Sequence, residues 1–182
     1  MNRKFIVFGR NASNTLGQVL SIGEAGFNPI LVWVGEVSSF LNSSKYVEEF
    51  YNVGTIEEGI DLICDKWGGE KKDKLKPLIT ADCDGIVAEK NKQYSRLSSC
   101  FYFFNAGEDN RLTEMMEKEK LCRLAAKYGL KTPSSEIVNV GEFPKSIGYP
   151  ILTKAADSFN AKWKSRVSIC KNEEELLDFY KR

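Results

Sequence analysis

KFIVFGRNASNTLGQVLSIGEAGFNPILVWV, residues 4–34, decides the fold class. Lys4–Phe8 is a short apolar run rich in β-branched and aromatic residues, as a buried strand requires. The polar turn Gly9-Arg10-Asn11-Ala12-Ser13-Asn14 follows. Leu16, Val19, Leu20 and Ile22 then recur at helical spacing as far as Ala25, with Gly26 as the stop. Pro29 leads into Ile30–Val34, a second buried strand. Strand, helix and strand within about 30 residues predict a right-handed crossover between parallel strands. The fold class expected is α/β with a parallel sheet.

Outward from that unit, Gly35–Ser44 reads as loop. Thr55 with Glu58 forms a capping-box pattern and opens a helix through Ile56, Ile60, Ile63 and Trp67, ending near Gly68-Gly69. Glu70–Lys76 reads as a solvated loop, Lys76–Thr80 as a third strand, and Asp82-Cys83-Asp84 as the start of a helix to about Asn91. Phe101–Phe104 is expected to be a strand. Asn105–Asn110 is a linker, which places a boundary near residue 110 and divides the chain into domains 1–110 and 111–182. Beyond it, Thr113 is expected to cap one long helix through Met116, Leu121, Leu124, Ala125 and Tyr128, closed by Gly129. Strands are expected at Glu136–Val140, Pro150–Ala155 and Arg166–Cys170. Asn172 and Glu175 cap a last helix, Glu173–Tyr180.

Composition narrows the chemistry. The 182 residues are 42% hydrophobic, enough for a core, and 26 basic against 25 acidic residues leave a net charge of +1. No field of one sign exists to attract nucleic acid or an anionic membrane, so neither is an expected partner. No histidine is present, which excludes Ser-His-Asp and Cys-His catalysis and any imidazole-dependent zinc site. Cys64, Cys83, Cys100, Cys122 and Cys170 are odd in number and widely spaced, so no disulfide framework or metal knuckle is expected. A reducing cytoplasm is the expected location, and Phe5–Phe8 is too short for a signal h-region.

Two places carry candidate sites. In a doubly wound sheet, ligands lie beyond the carboxyl ends of the strands, where a helix N-terminus offers free N–H groups. Gly9, Arg10, Asn11, Ser13 and Asn14 occupy that place, with Asp82 near the end of another strand as a group for a substrate amine. The turn is not GxGxxG, and it reads equally as a polar turn and N-cap without a ligand; Asp82 reads equally as a helix cap. The second place is the pair Lys118 and Lys154. Lys118 falls on the long helix, whereas Lys154 ends an apolar strand, where a lysine needs an anionic partner or a route to solvent.

A resemblance ties these together. Met116-Glu117-Lys118, then Leu124-Ala125-Ala126-Lys127-Tyr128-Gly129-Leu130-Lys131-Thr132-Pro133, then Gly148-Tyr149-Pro150-Ile151-Leu152-Thr153-Lys154, then Asn172-Glu173-Glu174-Glu175-Leu176 resemble in order and spacing the opening of an ATP-grasp domain. Gly9-Arg10-Asn11 through Leu16-Gly17, with Ser21-Ile22-Gly23-Glu24-Ala25-Gly26, resembles the Rossmann-like pre-ATP-grasp domain of carbamoyl-phosphate-synthase-like and carboxylate-amine ligases. The resemblance implies ATP and magnesium as cofactors, a small carboxylate or amine substrate, and an acyl-phosphate intermediate. It matches Lys118 and Lys154 to the family's two nucleotide-contacting lysines.

The family's glycine-rich flap has no counterpart in residues 155–164, where Lys162 and Lys164, with Arg166 next, offer side-chain charge instead, or form an exposed basic hairpin. Trp163 there either covers a base or plugs the sheet. The family's adenine hinge and magnesium ligands follow the region matching Glu173–Tyr180, so residues 111–182 are expected to be the first part of a small α+β subdomain. The chain alone is expected to hold no catalytic or metal-ligating residue and to be inactive, as the N-terminal portion of a ligase. A homodimer or a second chain is then the expected partner that completes it. The alternative is a small-ligand or nucleotide-binding module without catalysis, built on Gly9–Asn14.

Overall fold

The computed structural model describes residues 3–37, 43–69, 75–154 and 167–181. It divides into two compact units, residues 1–114 and 115–182. In the first, β1 (Phe5–Gly9), α1 (Ala12–Glu24), β2 (Ile30–Val34), β3 (Glu49–Val53), α2 (Ile56–Trp67), β4 (Leu78–Ala81), α3 (Asp84–Lys92), α4 (Tyr94–Leu97) and β5 (Tyr102–Phe103) follow one another. Their strands form a five-stranded sheet in the order β3-β2-β1-β4-β5. Every pairing is parallel, with Ile6 opposite both Ile30 and Ile79. This is an α/β fold with the strand order of doubly wound sheets, reversing between β1 and β4.

Burial on both faces explains the unbroken apolar runs of β1 and β2. On one face Ile6, Phe8, Ile30, Val32 and Val34 meet Ile60, Ile63 and Trp67 of α2 and Ile86 of α3. On the other, Val7, Leu31 and Trp33 meet Val19 of α1. Each such fully buried aliphatic or aromatic side chain contributes about 1.5–3 kcal/mol of transfer free energy. The caps are those the sequence predicts: Thr55 Oγ1 accepts from Glu58 N at 3.1 Å while Glu58 Oε2 accepts from Thr55 N at 3.2 Å. Gly26 follows α1 with φ of +85°, a conformation that favours glycine.

Two elements escape the sequence reading. β3 is an edge strand whose Glu49 and Asn52 interrupt the apolar pattern, and α4 is a single turn. Residues 38–42 of the expected loop Gly35–Ser44, and 70–74 of the expected loop Glu70–Lys76, lie outside the described residues.

The chain beyond residue 110 departs further. The single helix expected from Thr113 is two: α5 (Arg111–Met116) and α6 (Lys118–Lys127), separated at Glu117, whose ψ of 119° is extended. Thr113 lies inside α5 and caps nothing. Gly129, with φ of +72°, does close α6. The strand expected at Glu136–Val140 does not form. Instead the Glu136 carboxylate accepts from Lys145 N, Ser146 N and Ser146 Oγ at 2.7–3.0 Å, which holds it below the usual carboxylate range. β6 (Ile151–Thr153) and β7 (Ser168–Cys170) form an antiparallel pair, and α7 (Glu173–Lys181) packs on it through Leu176 and Phe179. Asn172 Oδ1 caps α7 by accepting from Glu175 N at 2.9 Å.

Candidate functional site

The strand-order reversal places the carboxyl ends of β1 and β4 side by side, where open α/β sheets form their ligand crevice. The turn after β1 and Asp82 after β4 therefore share one place in the fold. Asp82 turns inward, 8% exposed. Its Oδ2 accepts from Arg10 N at 2.8 Å, Asn11 N at 2.6 Å and Thr15 Oγ1 at 2.6 Å. Asn14 Nδ2 donates to the Asp82 carbonyl at 3.1 Å, and Gln18 Nε2 to the Ala81 carbonyl at 3.0 Å. Asn11 Oδ1 caps α1 by accepting from Asn14 N at 3.2 Å. The N-cap of α3 is Cys83, so Asp82 does not fill that role.

Gly9 serves this arrangement sterically. A Cβ there would lie 2.2 Å from Thr15 Oγ1, so only glycine lets the first turn of α1 approach the end of β1. Of the sequence candidates, Gly9, Arg10, Asn11, Asn14 and Asp82 are brought together by these contacts, while Ser13 lies exposed on the first turn of α1. The sequence reading missed Thr15 and Gln18. Thr15 is fully buried, and a threonine one turn into a helix carries no local sign of a partner 67 residues away.

No reactive thiol accompanies this constellation. Cys83 sits at a helix N-cap, where backbone N–H groups favour thiolate, yet burial outweighs them and pushes the thiol up, with the Asp82 charge adding to the shift. Lys90 of α3 is 1% exposed; its Nζ donates to the Ile79 carbonyl at 3.4 Å and lies 5.7 Å from the Phe103 ring centre. Burial lowers it to about 8.

In the second unit Lys154 directly follows β6 and is exposed, so the route to solvent that the sequence required is present. β6 turns Ile151 toward Leu176, while Leu152 and its register partner Ile169 are 63% and 65% exposed. Lys118 is the first residue of α6 rather than part of a long helix. Lys162 and Lys164, with Trp163 and Arg166, lie outside the described residues. Tyr149, Lys171, Asn172, Glu173, Glu174 and Leu177 line an open depression at the start of α7. Among the described residues, no group of three His, Cys, Asp or Glu is placed to hold a metal ion, and no helix is long and apolar enough to cross a membrane.

Superposition on the biotin carboxylase domain of Hydrogenobacter thermophilus 2-oxoglutarate carboxylase, a dimer in complex with MgADP, ADP and bicarbonate, gives a TM-score of 0.60 at 20% identity over 98% of this chain. The chain shares its fold with part of a biotin carboxylase domain. A thermophilic 2-oxoglutarate carboxylase domain bound to ADP matches over 98% of the chain with a TM-score of 0.50 and 19% identity. The biotin carboxylase subunit of pyruvate carboxylase matches over 99%, at 0.51 and 21%. In each case this chain spans 40% of the other's length. At 19–21% identity the likeness is one of fold, and it does not single out a carbamoyl-phosphate-synthase-like branch. No protein-family model matches the sequence, and no curated protein is similar to it in sequence.

Proposed function

We propose that this chain is the nucleotide-facing N-terminal portion of an ATP-dependent ligase or carboxylase that activates a carboxylate as an acyl phosphate. The observation that carries the reading is Lys154, exposed at the end of β6 in a chain whose fold matches ADP-bound biotin carboxylase domains. Residues 1–110 correspond in this reading to a pre-ATP-grasp domain, of the carbamoyl-phosphate-synthase-like kind, and 111–182 to the opening of the ATP-grasp domain.

Lys118 and Lys154 are assigned to the phosphates of ATP, with Lys162 and Lys164 as further cations. A lysine suits that place as a mobile point charge that steadies negative charge built up during transfer. Magnesium does not fit the described residues, which lack a suitable acidic cluster, so no step is routed through it. The chain spans 40% of its structural neighbours, and turnover is assigned to a larger assembly, completed by further chain, a second copy or a partner.

Calorimetric titration of the 182-residue protein with ATP tests this. Lys154→Ala is expected to weaken binding about tenfold, the worth of one charge-assisted contact, with unchanged thermal stability. ATP binding that ignores Lys154→Ala and Lys118→Ala overturns the assignment. Robust ATP-dependent ligation by this chain alone overturns the claim that turnover needs more.

A further inference from the structure

The crevice at the strand-order reversal is where this fold would receive an anion, and its donors are already spent. Two consecutive backbone N–H groups, of Arg10 and Asn11, and the Thr15 hydroxyl converge on one oxygen at 2.6–2.8 Å. Successive N–H groups aimed at one point form a nest for an anion. The oxygen they meet belongs to the chain itself, to a side chain 8% exposed that arrives from β4, 71 and 72 residues away in sequence.

Three further details show that the seat is built around this occupant. Gly9 lacks the Cβ that would drive Thr15 Oγ1 out of position at 2.2 Å. Asn14 and Gln18 hold the backbone carbonyls of Asp82 and Ala81, so the carboxylate is presented from a fixed support. Asp82 Oδ1 is buried with no hydrogen-bond partner among the described residues. A buried carboxylate bears a desolvation cost, which the charge-assisted bonds converging on Oδ2 offset.

We propose that Asp82 is a resident internal anion, filling a seat that the Gly9–Thr15 turn builds for a carboxylate or phosphate, so that this crevice takes no external anion. The inference goes beyond the nucleotide reading of Lys118 and Lys154 and does not depend on it. It assigns the turn a self-occupied site in place of the ligand cradle that its position in the sheet suggests.

The test empties the seat and offers a substitute. In full-length Asp82→Gly, sodium formate is expected to raise the unfolding midpoint by about 3 °C over sodium chloride at equal ionic strength. Wild type and the double variant Asp82→Gly/Thr15→Val are expected to show no such formate-specific rise. Equal formate response in wild type, or a folded Asp82→Gly that ignores formate, overturns the proposal. Should Asp82→Gly fail to fold, Asp82→Asn keeps an acceptor of the same shape without the charge. Its Arg10 and Asn11 amide protons are then expected to move upfield in NMR spectra, and unmoved resonances overturn the proposal equally.

Discussion

The two units spend their apolar residues in opposite ways. In residues 1–114 a parallel sheet is buried on both faces, and Ile6, Val7 and Phe8 of β1 reach 0% exposure. In residues 115–182 the buried cluster is Cys170, Leu176 and Phe179, while Leu121, Tyr128, Leu130, Ile137, Val140, Leu152, Val167 and Ile169 are each more than half exposed. The difference teaches that secondary structure alone does not make a core. β6 and β7 are properly paired, yet a two-stranded sheet covered by one helix has a second face that none of the described residues of its unit buries.

The sharpest way to break this contrast is Phe8→Ala. It empties the centre of the larger core and is expected to cost about 4 kcal/mol, lowering the calorimetric transition of residues 1–114 while amide exchange in α7 stays unchanged. Coupled loss of protection in α7 would show that the units unfold as one.

Lys90 gives the next effect. Its folded value of about 8 lies below the ordinary 10.5, so between those pH values the unfolded chain binds more protons and stability rises with pH. Below pH 8 both states carry the charge and the full penalty applies, about 3 kcal/mol. Lys90→Met is expected to gain roughly that much at pH 7 and to flatten the rise between pH 8 and 10.5 seen in denaturant titrations of the wild type.

Leu176→Ala probes the smaller core and is expected to cost about 2 kcal/mol, at the low end for leucine because a thin core collapses readily. The readout is amide exchange in α7, with the larger unit unaffected. Thr55→Ala removes one capping bond of α2 and is expected to cost about 1 kcal/mol, visible as a small shift of the first transition only.

The same contrast explains what was legible in the sequence. β1, α1 and β2 were readable because two-sided burial writes itself as unbroken apolar runs, and because Gly26 and the Thr55–Glu58 box carry local turn and cap chemistry. β3 was not, since its Glu49 and Asn52 reflect a partly exposed edge that only pairing with β2 turns into a strand. In the second unit, Ile137 and Val140 imitate a strand, but no backbone among the described residues pairs with them and they remain exposed. The break at Glu117 leaves the helical spacing of α5 and α6 nearly continuous, so periodicity could not show it. The exposure of Lys154 at the end of β6 was legible from a lysine closing an apolar run. The inward turn of Asp82 was not, because its donors lie on a different element and its partner Thr15 has no motif.

Cys170, at 1% exposure beside Leu176 and Phe179, gives the smaller unit a built-in gauge of its own opening. The other four cysteines are partly exposed, and burial pushes the thiols of Cys64 and Cys83 up. Alkylation at Cys170 must wait for α7 to lift from β7, so its rate at fixed reagent counts those excursions directly. Mass-resolved labelling of the unmodified sequence thus reads the opening of α7 with and without an added ligand, with no engineered probe.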